Sequence, residues 1–275
     1  MNGETPPLAY APPAGPPIPP RPPVASAAPA PGGEHGDSRP LTAYVWPVGA
    51  AIAFVVMTFA LDLLGGYGVR VALKVVRGSV AQALAVGAIL LVVYAVQLGV
   101  VWIVAHRRGH RLAESVGIRR VPRLRAWVGS AIGLAVFVRV LALVYSEVVI
   151  SSGLKLQGQN ADPLRYFAPG PVGSLMLVII VVLVAPLVEE IVFRGIVLAS
   201  LRERWGDRAA ILVSSLVFAA LHLNLFSFLP IFAVALVLGA LFVRSRSLWV
   251  NIACHSAFNG IGVILLLVLR SRGLV

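Results

Sequence analysis

The 275-residue sequence is 59% hydrophobic and 12% charged, with a mean hydropathy of +0.90. Soluble domains carry about a quarter charged residues, so this balance excludes an ordinary soluble protein and points to a polytopic, all-α transmembrane bundle. The formal charge of +12 would suit nucleic acid, but the basic residues cluster in short segments between apolar runs. That is where the positive-inside rule puts them, so the expected partner is the lipid bilayer and no nucleic acid.

In chain order, the first forty residues hold thirteen of the 20 prolines and show no signal-peptide pattern. Such sequence lacks the apolar mass to fold, so residues 1–40 read as a disordered, partly polyproline II cytoplasmic tail. A docking arm for a proline-recognising partner is one reading of it. A solubilising tail accounts for the composition with less.

Seven apolar helices follow, near Tyr44–Leu64, Val80–Val104, Ala126–Ile150, Val172–Leu201, Ala209–Leu225, Pro230–Val243 and Leu248–Leu269. Residues 41–170 form the N-terminal helices and residues 171–270 a separate polar-centred core. Pro171 and Pro230 sit where helix starts tolerate proline. The sixth run is short for a full span. Placing the N-terminus in the cytoplasm puts fourteen Lys and Arg residues inside and seven outside, which orients the chain as a multi-pass plasma-membrane protein. A single cysteine, Cys254, excludes an intrachain disulfide.

Ionisable groups within spans are costly, so each suggests function. They concentrate on three helices: Glu189, Glu190 and Arg194 in "LVEEIVFRG", His222 in "FAALH", and His255 and Asn259 in "HSAFN", with Asn251 one turn earlier. Asp62 reads as lying near a helix end, and Arg139 with Glu147 as a structural pair. At about 100° per residue, Glu190 and Arg194 share a face and can pair, while Glu189 points elsewhere. Pro186, one turn earlier, removes a backbone donor and so frees a carbonyl near the site. Phe218 and His222 share a face, as do His255 and Asn259.

A carboxylate, two histidines and an amide suit hydrolysis. Glu189 and His222 could deprotonate a water, with His255 and Asn259 donating to an oxyanion. Glu189, His222 and His255 could instead hold zinc with an open position for water, as in a metalloprotease. No HExxH, GxSxG or Gly-rich phosphate loop occurs in the chain.

The three segments "EEIVFR", "FAALH" and "HSAFN" resemble the EExxxR, FxxxH and HxxxN motifs of the CAAX prenyl protease and bacteriocin-processing (CPBP, Abi) family of intramembrane endopeptidases. The resemblance covers Val172 to Leu269. It implies an all-helical core with a cavity open to the cytoplasm and a membrane-associated peptide or protein as substrate. It also implies water activation by Glu189 and His222, an oxyanion site from His255 and Asn259, and support from Glu190 and Arg194. Phe218 then serves packing. Two other readings of the same residues stay open: a proton-coupled transporter, in which Glu189, His222 and His255 form a relay, and a non-catalytic scaffold or immunity protein.

Overall fold

In a computed structural model the described residues are 40–121, 124–156, 167 and 170–273. The proline-rich tail, apart from Pro40, lies outside them, as do Arg123 and Arg165 of the basic-residue count. Among the described residues every regular element is helical. Helix α1 is Val48–Val75, α2 is Ser79–Arg107, α3 is the single turn Leu112–Ser115 and α4 is Leu124–Ser151. A helical stretch then extends over Pro171–Leu221. It breaks at Gly206, whose φ of 76° and ψ of 176° suit a residue without Cβ, so we treat residues 171–205 as α5 and residues 207–221 as α6. Helix α7 is Leu225–Ser245 and α8 is Leu248–Ser271. Among the described residues six helical stretches are long and apolar enough to cross a bilayer, the last but two containing both α5 and α6.

Helix α5 is the centre of the bundle. Every residue from 190 to 201 is buried, including a carboxylate and a guanidinium. A stretch buried on every side in this way must be enclosed by other helices rather than lipid. Its neighbours expose Leu, Val and Ile outward instead, including Ile52, Val56, Val92, Ile132, Leu212 and Leu216, which is the surface a hydrocarbon solvent selects. The second half of α5 is held against the turn after α3: a Cβ added to Gly195 would lie 2.8 Å from Val116 Cβ and 2.9 Å from Val116 O. The same turn is tied down by Trp46, whose indole Nε1 donates to Ser115 O at 2.8 Å.

The winding of α5 is not uniform. Its turns run α over Pro171–Leu177, π over Val178–Val184, α over Ala185–Glu190, and π again over Ile191–Leu198. The wider π turns bond residue i to i−5, and they flank the glutamate pair on both sides, a position typical of functional helices.

Four expectations from the sequence need correction. Helix α1 does not end at Leu64 but continues to Val75, because buried Val69 packs in one cluster with Val86 of α2 and outweighs the flexibility of Gly65, Gly66 and Gly68. Pro230 is not at a helix start: Asn224 caps α7 by accepting from Ser227 N at 3.0 Å, so the helix begins five residues before the proline. The short helix is therefore α6, whose 15 residues measure about 22 Å, and not α7. Finally, Arg139 does not pair with Glu147; its Nη2 donates to Phe258 O on α8 at 2.6 Å and its guanidinium lies 3.8 Å from the Phe258 ring centroid.

Candidate functional site

The two glutamates on α5 diverge as helix geometry requires. Glu190 is fully buried, and its Oε1 takes Arg194 Nη1 at 2.9 Å and His255 Nδ1 at 2.9 Å. Its Oε2 accepts from Asn251 Nδ2 at 3.1 Å. Arg194 also donates to Ala235 O at 3.2 Å, and Asn251 to Leu238 O at 2.7 Å. These bonds join α5, α7 and α8 through one carboxylate. Such a centre is stable only when every member finds a partner, since a lone buried ion costs several kcal/mol. Arg194 further lies 4.7 Å over the ring of Phe218, which packs edge-on to Phe193 with centroids 4.9 Å apart.

Glu189 turns the other way. Its side chain keeps 23% of its exposure, and its Oε2 stands 3.7 Å from His255 Nε2. His255 is thus held between the two glutamates. Because the Glu190 carboxylate can only accept, His255 Nδ1 carries a proton, and Nε2 is the nitrogen presented to the cavity. The sequence led us to expect Glu189 opposite His222. His222 shares the cavity walls, while the imidazole within 4 Å of the Glu189 carboxylate is that of His255.

His222 does not sit within a helix but caps one. Helix α6 ends at Leu221, and the His222 backbone N–H tightens onto Ala219 O at 3.3 Å. That leaves Phe218 O without its usual i+4 donor, and the imidazole of His222 itself supplies one, with Nδ1 at 2.8 Å. A carbonyl only accepts, so Nδ1 bears the proton and Nε2 of the neutral ring is left with a lone pair. The Phe218 and His222 ring centroids are 4.9 Å apart. Residues 222–224 then pass irregularly into α7, and Asn224 borders the same cavity. Non-helical backbone in a membrane protein is tolerated where it lines such a space.

Asn259 is accounted for by Pro186. In the π turns before the proline, Ala185 N bonds back to Ile180 O. The next bond in that register would run from residue 186 to Val181 O, and proline has no N–H to make it. Asn259 Nδ2 fills the gap, donating to Val181 O at 2.9 Å. One amide hydrogen of Asn259 is spent on the backbone and fixes the side chain; the other remains for the cavity.

The cavity has a volume of about 710 Å³, and Glu189, His222, His255 and Asn259 all lie on its walls among Val69, Ile180, Val234 and Phe258. A smaller chamber of about 170 Å³ adjoins it, sharing Asp62, Tyr94, Glu189, Phe218 and His222. Here the sequence reading missed residues. Asp62 is the fifteenth of 28 residues in α1, far from either end, and its Oδ1 accepts from Gln97 Nε2 at 3.1 Å. The signal was present as polar residues at helical spacing inside apolar spans: Thr58 with Asp62, and Tyr94 with Gln97.

A zinc site would need three converging protein donors and an open position. Among the described residues no group of three His, Cys, Asp or Glu side chains is arranged to hold a metal. With Nδ1 of His255 given to Glu190 and Nδ1 of His222 given to Phe218 O, only Glu189 and His255 approach each other closely. The donors as arranged do not fit the zinc set.

This geometry coincides with a family match. Residues 171–261 match the family model described as "Type II CAAX prenyl endopeptidase Rce1-like", in agreement with the resemblance carried by the three motifs. The chain is 33% identical over 90 residues to a Bacillus subtilis (strain 168) protein named "Putative membrane peptidase YdiL", across 33% of this chain and 37% of that protein. It is 29% identical over 141 residues to an "Uncharacterized 24.3 kDa protein" of Escherichia coli, across 48% of this chain and 64% of that one. Both alignments span less than two thirds of the relative's length. No solved structure matches the chain.

Proposed function

We propose that the chain is an intramembrane peptidase that hydrolyses a peptide bond in a membrane-associated peptide or protein. One observation carries the reading: Glu189, His222, His255 and Asn259, from two helices and the cap of a third, border a single cavity within a bundle of membrane-spanning length. The Rce1-like match over the segment that contains all four supports it.

In this mechanism a water sits between Glu189 and the free Nε2 of His222. Glu189 takes one proton as the water oxygen attacks the scissile carbonyl carbon, while the His222 lone pair accepts a hydrogen bond that orients the water. The carbonyl oxygen becomes an oxyanion and receives the second amide hydrogen of Asn259. His255 adds an Nε2–H to the same oxygen when both of its ring nitrogens carry protons. The proton held by Glu189 then passes to the leaving amine as the C–N bond breaks, so charge and protons balance. Apolar walls exclude bulk water, which strengthens each of these interactions. A plasma-membrane location with the N-terminus in the cytoplasm belongs to this reading.

The test compares peptide termini in membranes of cells carrying the wild type, Glu189→Ala or His222→Ala. Cleavage products that require both residues are expected. Products unaffected by either substitution would sink the peptidase reading.

A further inference from the structure

Three carboxylates lie at or beside the cavity, and they are unequally matched. Glu190 has Arg194 at 2.9 Å, and Glu189 has His255 Nε2 at 3.7 Å. Asp62 has the neutral amide of Gln97 at 3.1 Å and, among the described residues, no ion pair. Neither chamber is lined by a lysine or an arginine. One turn before Asp62, Thr58 is only 5% exposed, and its Oγ1 has no hydrogen-bond partner. A buried hydroxyl left unpaired is destabilising, and Thr58 lines the smaller chamber. Tyr94, Phe193 and Phe218 contribute aromatic walls to the same space.

These features describe a receptor for one small cation. An ammonium group has three N–H donors and no acceptor, and it is stabilised by carboxylate and hydroxyl oxygens and by the faces of aromatic rings. We infer that the 170 Å³ chamber is a subsite for a protonated primary amine, with Asp62 as its counter-charge and Thr58, whose unpaired Oγ1 is covered in this structure and reaches the ligand by rotation about χ1, as a further acceptor. A neutral or acidic group there leaves Asp62 unmatched. On the peptidase reading, the amine is a lysine-type side chain of the substrate near the scissile bond, because the chamber shares Glu189 and His222 with the reaction cavity. Only this assignment to a substrate side chain rests on that reading; amine binding does not.

The binding test uses the full chain in detergent, with n-butylammonium, n-butanol and sodium ion at matched ionic strength as probes. Butylammonium should raise the thermal unfolding midpoint of the wild type, fail to do so for Asp62→Asn, and bind Thr58→Val about tenfold more weakly, the loss expected for one hydrogen bond. An equal effect from butanol or sodium overturns the inference, as does an undiminished butylammonium shift in Asp62→Asn. If Asp62→Asn does not fold, Thr58→Val decides: unchanged affinity refutes the subsite. The second arm scans membrane-anchored peptides with lysine or norleucine at each position around the cleaved bond. Lysine should be favoured about tenfold or more at one position, and Asp62→Asn should bring that ratio towards one. Cleavage that depends on Glu189 but shows no lysine preference overturns the subsite as a specificity site. Absence of Glu189-dependent cleavage, together with intact butylammonium binding, overturns the peptidase reading and leaves the amine site standing.

Discussion

Glu189 and Glu190 are neighbours in the chain and opposites in surroundings. Glu190 has no exposure and partners on three sides, whereas Glu189 keeps 23% of its side-chain surface and has one nitrogen at 3.7 Å. The 100° between adjacent helical residues is enough to separate a saturated carboxylate from one with lone pairs to spare. What the contrast teaches is that the costly doublet divides into a joint and, on the peptidase reading, a reagent. The joint holds α5, α7 and α8 in register, and His255 belongs to both halves.

The sharpest way to break this comparison is to remove each charge in turn. Glu189→Gln should lower turnover by about 10²–10⁴-fold, the range for a lost general base, while the unfolding midpoint in detergent stays at the wild-type value. Arg194→Ala should do the reverse in kind, destabilising the protein by about 3–5 kcal/mol in chemical unfolding, because it strands Glu190 in the core. If the two variants lose stability alike, the proposed division is wrong. Asn259→Ala should cost about 10²-fold in kcat, the loss of one oxyanion donor, and should expose Val181 O to hydrogen-bond competition visible in the amide infrared band. The smallest effect is expected from Pro186→Ala. A restored N–H at residue 186 competes with Asn259 for Val181 O, so activity should fall only a few-fold and stability should change by about 1 kcal/mol or less.

Much of this was legible in the sequence because membrane helices announce themselves by apolar length and because i,i+4 spacing survives folding. The pairing of Glu190 with Arg194 and the packing of Phe218 beside His222 follow from spacing alone. The carbonyl freed by Pro186 was also foreseeable, but its owner was not. A π turn shifts the missing bond from i−4 to i−5, and nothing local in "VIIVVLVAP" declares that wider winding. His222 was misjudged for a related reason: the apolar run continues through Leu223 and Leu225, while the helix stops at Leu221 with Leu223 at φ 49°. Periodicity reports where residues prefer apolar surroundings, not where the backbone turns. Asp62 was undervalued because α1 was expected to end at Leu64, two residues on, whereas it continues to Val75.

The brevity of α6 has a consequence for the surrounding lipid. At about 22 Å it falls short of a hydrocarbon thickness near 30 Å, while its antiparallel neighbour α7, with 21 residues, reaches about 31 Å. Leu212, Leu216, Leu223, Leu225 and Leu229 along this pair are exposed, so acyl chains must meet both helices. One leaflet therefore has to thin or tilt beside the His222 turn, at a cost of fractions of a kcal/mol per ångström of mismatch. Such a dimple would bring the polar boundary of the bilayer towards the cavity that Glu189 and His222 line, making acyl-chain length in reconstituted vesicles a control on how readily water and the proposed substrate enter.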